Sequence, residues 1–122
     1  MNDKQQIEIC VQIYIDSMEQ SDPNLVKQAF HPNGSGVGHL HDELMEMSVN
    51  DFAEFVVSQQ PSPRESGEGV NFQTLSCEVE GTTALVKVRD TYLGITFLDT
   101  LSLIKTNEKW LIYNKLFHVE SE

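Results

Sequence analysis

Apolar residues recur at spacings of three and four from Asp3 to Gln20, at Ile7, Cys10, Val11, Tyr14 and Met18. That period predicts an amphipathic helix with one buried stripe. Asp22-Pro23 then supplies an N-cap and a proline at the first helical position, predicting a short second helix striped by Leu25, Val26, Ala29 and Phe30. His31-Pro32-Asn33-Gly34 ends it. Residues 35–47 are glycine-rich and then alternate, which predicts a short, irregular strand pair. Ser48-Val49-Asn50-Asp51 is a capping box, opening a third helix through about Gln60 that buries Phe52, Phe55 and Val56. Gln60 to Gly69 reads as a loop, and a period of two then predicts strands near 70–79, 82–92, 95–106 and 109–119. Helices followed by an antiparallel meander predict an α+β fold with helices on one face of a bent sheet.

The turns predict how these four strands face. Glu80-Gly81, Leu93-Gly94 and Asn107-Glu108 each suit a two-residue turn, with Gly or Asn where positive φ is wanted. Register from those turns places four rows on one face: Cys77-Ala84-Leu103-Ile112, Leu75-Val86-Leu101-Asn114, Gln73-Val88-Asp99-Leu116 and Asn71-Asp90-Phe97-His118. This face is apolar at one end and polar at the other, as expected of a sheet packed on helices with a pocket at one rim. The opposite face is expected to carry Phe72, Leu98, Phe117 and Tyr113 among Lys87, Arg89 and Lys115. So large an apolar patch predicts a homodimer through the outer sheet face.

Length and composition narrow the function. The chain has 122 residues, expected to form one domain, 1–122, and its 39% hydrophobic content suits a globular core. Eight Lys and Arg against nineteen Asp and Glu leave a net charge of −11. Such a surface repels phosphate backbones and anionic lipid, so neither nucleic-acid nor membrane binding is expected. No apolar run approaches the ~20 residues of a bilayer-spanning helix. The N-terminus lacks the basic start and apolar stretch of a signal peptide, and Cys10 and Cys77 fit no disulfide framework. Reduced cysteines and a cytoplasmic location are expected.

Candidate chemistry concentrates on the inner face. Asp99, between Val88 and Leu116, suits an acid presented to a ligand carbonyl. It equally suits a carboxylate held by Gln73 or Asn114 at the sheet's bend. Tyr14 points from the first helix toward the sheet, as a pocket hydroxyl or as a core aromatic. Asp90 could orient the imidazole of His118 at the rim, as an acid–base pair or as a plain ion pair. His31, His39 and His41 lie near Asp42, Glu43 and Glu46, but nothing converges four ligands on a mobile glycine-rich stretch, so no metal is expected. Phosphate loops, nucleophile elbows and Cys-x-x-Cys pairs are absent, and no cofactor is expected.

Five segments carry a resemblance over nearly the whole chain: Phe30-His-Pro-Asn, Met47-Ser-Val-Asn-Asp-Phe, Ala84-Leu-Val-Lys-Val, Phe97-Leu-Asp-Thr-Leu-Ser-Leu-Ile-Lys and Trp110-Leu-Ile-Tyr-Asn-Lys-Leu-Phe-His. They resemble the putative lumazine-binding group of the nuclear transport factor 2-like superfamily. The resemblance implies a cone, a bent sheet wrapped around three helices with a pocket between them, and sheet-to-sheet dimers. The pocket expected here is lined by Asn71, Gln73, Asp90, Phe97, Asp99, Asn114 and His118, closed by Tyr14, with Trp110 or Phe55 on the helix side. Its expected ligand is a small apolar or weakly polar organic molecule. The resemblance also admits a ketosteroid isomerase, dehydratase or polyketide cyclase chemistry, a SnoaL-like lyase or isomerase. In that alternative Tyr14 and Asp99 supply hydrogen bonds to an oxyanion. The isomerase base falls on Gly36-Val37-Gly38-His39, where there is no carboxylate, leaving His39 as the base. A protein–protein module is the third reading.

Overall fold

Asn2 opens the first helix, α1 (Asp3–Glu19): its side chain accepts from the Gln5 amide while the Gln5 side chain bonds back to the cap. The structure, a computed structural model, describes residues 1–122. Asp22 caps α2 (Pro23–Ala29), with Pro23 at the first helical position, as its sequence predicts. Two strands follow, β1 (Phe30–Leu40) and β2 (Glu43–Ser48), longer and more regular than their glycine-rich sequence suggests. The Ser48–Asp51 capping box opens α3 (Val49–Ser58). Within the 60–69 loop, Pro63–Ser66 makes a single helical turn, α4, closed by Gly67 at φ 82°. The meander is β3 (Asn71–Glu80), β4 (Thr83–Tyr92), β5 (Ile95–Thr106) and β6 (Lys109–Ser121).

All six strands form one sheet in the order β2-β1-β6-β5-β4-β3. Every neighbouring pair is antiparallel except β1 and β6, which are parallel. The helices cover the inner face, and 22 buried residues from both layers form one core cluster, centred on Tyr14, Ile15, Val88, Leu101 and Ile112.

The β4–β5 turn at Leu93-Gly94 sets the ladder as its sequence predicts: Val88 opposes Asp99 and Asp90 opposes Phe97. The β3–β4 hairpin carries one extra residue and the β5–β6 hairpin two, Tyr113 and, near the end of the strand, Glu120. The β5–β6 pair starts from Thr106–Lys109, but its register shifts between Ser102 and Leu103, leaving Tyr113 as a bulge. Beyond it Asp99 opposes Phe117, and Leu98 opposes His118. The β3–β4 turn is Gly81-Thr82 rather than Glu80-Gly81, and a bulge at Leu75 shifts the ladder so that Phe72 opposes Asp90. One inserted residue turns every later side chain to the other face. Lys115 and Phe117 therefore face inward, where strict alternation places them outside. Phe72 also turns to the inner side at the sheet's edge, while Asn71, Gln73, Asn114 and His118 turn outward.

Candidate functional site

A cavity of about 280 Å3 opens at the end of the cone between α3, the β1–β2 turn and the β4–β5 turn. Eleven of its 15 lining residues are hydrophobic, led by Met18, Met45, Met47, Phe52, Phe55, Phe97 and Phe117. Such a surface has little to offer a hydrated polar molecule. Gly38 makes room for one wall: a Cβ there would collide with the Phe117 backbone and sit 2.6 Å from its ring. Phe117 in turn meets Phe97 edge-on, with centroids 5.7 Å apart. Phe55 stands at the mouth, its ring edge-on to Tyr92.

Four polar side chains converge at the floor. Asp90, Tyr92 and Lys115 line the cavity, and Asp99 lies just beneath, fully buried. Tyr14 reaches across from α1 and donates its hydroxyl to Asp99 Oδ2 at 2.7 Å. Burial and the adjacent Asp99 charge hold the Tyr14 phenol well above its usual range, so it remains a donor. Asp90, 2% exposed, is pushed up to about 9 by burial first, then by the hydrogen bond and charge of Asp99, against the pull of Lys115. Asp90 Oδ2 and Asp99 Oδ1 have no other partner, and one proton held between the two carboxyls satisfies both. The Tyr92 hydroxyl is likewise unpartnered, and burial pushes it up.

Lys115 is the unexpected member. It is 8% exposed and belongs to none of the molecule's salt bridges. Its Nζ lies instead over three rings, 4.5 Å from the centroid of Phe52, 4.9 Å from Tyr14 and 5.6 Å from Phe117. The floor thus holds the Asp90–Asp99 carboxyl pair and one amine among aromatic walls.

Of the residues expected at the pocket, the structure brings together Tyr14, Asp90, Asp99, Phe97 and Phe55, with Tyr14 and Asp99 behind the lining. The others lie elsewhere. Asn71 and Gln73 oppose Thr91 and Arg89 on the outer face, and Asn114 there donates to Ser35 Oγ. His118 opposes Leu98 on the outer face and cannot orient toward Asp90, which points inward. His39 lies on that outer side, because its neighbour Gly38 is the inward residue against Phe117. Trp110 is at the opposite end of the sheet, donating its indole N–H to Asp3 Oδ1 beside a second hollow of about 260 Å3. Residues 60–69 line neither cavity; Arg64 and Val70 tie that loop's ends to Glu19 of α1.

The three N-terminal histidines are dispersed as well. His31 stacks on Tyr113, and His41, at the cavity mouth, meets Glu122 at 3.1 Å. No three His, Cys, Asp or Glu side chains are grouped as metal ligands. Both cysteines are free thiols, and burial raises Cys10 to about 11. No helix is long and apolar enough to cross a membrane.

A family model described as "Putative lumazine-binding" matches residues 2–118. The chain belongs to this family. Among relatives, it is 28% identical over 107 residues to an aldolase, FrzH, of Cladobotryum sp, covering 86% of this chain and 82% of that one. An NTF-2 like protein of unknown function from Silicibacter pomeroyi DSS-3 superposes with a TM-score of 0.86 at 22% identity, covering 98% of this chain and all of that one. A second, from Methylobacillus flagellatus KT, gives 0.86 at 24% identity, with 98% and 93% covered. Family and fold agree: this is the NTF2-like cone, helices packed on a curved mixed sheet.

Proposed function

We propose that the cavity binds a small organic molecule with a mainly apolar body and one carbonyl oxygen directed at Asp90 and Lys115. One observation carries the reading: an aromatic and methionine-lined cavity whose only carboxyl and only amine stand together at the floor. At about 280 Å3 it sits at the small end of the ~300–1,000 Å3 common for ligand pockets, which suits one or two rings. Thermal-shift screening of cyclic ketones, aromatic aldehydes and heterocycles tests this. Stabilisation by ring carbonyls, accompanied by shifts of the Met45 and Met47 methyl resonances, is expected. A flat profile across the library overturns the reading.

A carbon–carbon lyase or isomerase is the second reading, favoured by the floor chemistry and by the distant relative named an aldolase. Charge that builds on a carbonyl oxygen during enolisation would be met by the Asp90 proton and the Lys115 amine. Tyr14 and Asp99 would act from behind by positioning Asp90, and His41 replaces His39 as the histidine that reaches the cavity. Exchange of ligand α-protons in heavy water, lost in Asp90→Asn, would support it.

The assembly that accompanies this reading is a homodimer through the outer sheet face. With Phe72 and Phe117 turned inward, the patch consists of Leu85, Leu98, Leu116 and Tyr113, with Lys87 and an Arg89–Glu120 ion pair among them. A standard interface of ~800 Å2 per partner is about an eighth of the 6781 Å2 surface, an area that one sheet face can supply.

A further inference from the structure

Lys115 makes no sense as packing. An apolar side chain of its length would fill the same space without taking an amine out of water, and no carboxylate pairs with this one. What surrounds it instead is a reaction environment. The rings of Phe52, Tyr14 and Phe117 hold Nζ at the cavity floor. Asp90 lies close enough for the Lys115 charge to act on it, and Asp90 shares its proton with Asp99, which Tyr14 anchors from the far side. The remaining lysines differ: Lys4, Lys27, Lys87 and Lys109 are exposed, and Lys105 is bonded to Asp3.

We propose that Lys115 is an imine-forming residue, condensing with an aldehyde or ketone held in the cavity. The inference rests on the carbonyl-ligand reading given above. The Asp90–Asp99 carboxyl pair takes one proton from the Lys115 ammonium through Asp90, the member that lines the cavity, freeing the nitrogen lone pair to attack the carbonyl carbon. As the C–N bond forms, the carbonyl oxygen takes the Asp90 proton and becomes a hydroxyl. The nitrogen returns a proton to Asp90, and the hydroxyl leaves as water with the pair's extra proton, delivered through Asp90. In sum, a carbonyl compound and the Lys115 ammonium give a protonated imine on Lys115 and one molecule of water, with both carboxyls back in their starting states. A desolvated amine beside a general acid is the arrangement that covalent catalysis by lysine requires. An iminium at that point draws electrons from the ligand's α-carbon, the property that cleavage or formation of the adjacent C–C bond needs.

Reductive trapping tests it on the intact chain. Benzaldehyde and cyclohexanone are incubated separately with the protein and sodium cyanoborohydride, and adducts are located by peptide mass spectrometry. The expected result is a secondary-amine adduct on Lys115 forming about tenfold or more faster than on exposed Lys4, Lys27, Lys87 or Lys109. Lys115→Met should abolish that fast adduct while benzyl alcohol still shifts the Met45 and Met47 methyls. If the variant does not fold, the wild-type comparison between Lys115 and the exposed lysines decides alone. Binding of benzaldehyde and benzyl alcohol at the methionines with no preferred Lys115 adduct overturns the imine and leaves the pocket reading intact. Absence of any methionine response to either compound overturns both.

Discussion

Tyr14 and Asp99 are 85 residues apart in sequence and joined by a 2.7 Å hydrogen bond with no water access to either side chain. That bond pins the first helix to the centre of the sheet and aims the second carboxyl oxygen of Asp99 at Asp90. Tyr14→Phe keeps the ring contacts with Phe30 and Phe52 but orphans Asp99 Oδ2. A loss of about 1–3 kcal/mol is expected, because a buried acceptor is left unpaired. Urea unfolding should show it as a lower midpoint with an unchanged slope; an unchanged midpoint would contradict the pinning role.

The Asp90 proton makes stability depend on pH. Its folded pKa of about 9 exceeds its ordinary value of 3.8, so the folded protein holds a proton that the unfolded chain releases. The stabilisation is fully present below about pH 4, falls as pH rises toward 9, and is lost above that. Within the window the slope should reach up to about 1.4 kcal/mol per pH unit from this group. Unfolding free energies at pH 5, 7 and 9 should decline steeply in wild type and much less in Asp90→Asn. Parallel curves would mean that the proton is not held.

Gly38→Ala tests how the aromatic wall is built. The added methyl overlaps the Phe117 ring, which must move into the cavity or push the strands apart. Overpacking of this kind costs about 1–3 kcal/mol. Ligand-induced thermal shifts should shrink more than stability does, because the displaced ring occupies the ligand's place. Full binding in a stable variant would show that Phe117 is not a wall.

The dimer is decided at Leu116, 52% exposed and at the middle of the outer face. Light scattering at micromolar concentration should give twice the 13.8 kDa chain mass for wild type and the monomer mass for Leu116→Asp. Phe117→Leu, one residue away but facing inward, should remain dimeric. A monomeric wild type, or a dimeric Leu116→Asp, would refute the interface.

How much of this was legible beforehand depends on single residues. Leu93-Gly94 announces its turn, and the neighbouring alternation from Ala84 to Asp90 has one parity, so Val88, Asp90, Phe97 and Asp99 fall on the correct face. The same parity continues to Tyr92, the next inward position of β4, which makes its cavity role readable as well. β6 is different. Trp110 and Ile112 are inward at even numbers, Lys115 and Phe117 at odd ones, and Leu111 and Leu116 are apolar enough to mask the switch. A bulge has no obligatory residue type, so an unbroken period of two puts Asn114 and His118 inside and hides Lys115. In β3 the bulge at Leu75 alone reverses the face, and the turn adds a separate slip of register: Gly81 at φ 61° fits the second position of a Glu80-Gly81 turn as well as the first of a Gly81-Thr82 turn. The helices gave no such difficulty, because Asn2, Asp22 and Ser48 cap them with side-chain bonds of local origin.

The bulge at Tyr113 has a consequence for how such a hollow can be resized. Taking Tyr113 out would join Ile112 directly to Asn114, in step with Leu103 and Ser102 across the ladder. Lys115 and Phe117 would keep their orientation, and every cavity group would stay where its chemistry needs it. The extra local twist would go, and with it the Tyr113 ring's stack on His31, its share of the outer patch and part of the curl that gives the cone its depth. Shape and reactivity are therefore separately adjustable in this strand: a single codon gained or lost alters the depth of the bowl, while substitutions alter what lines it.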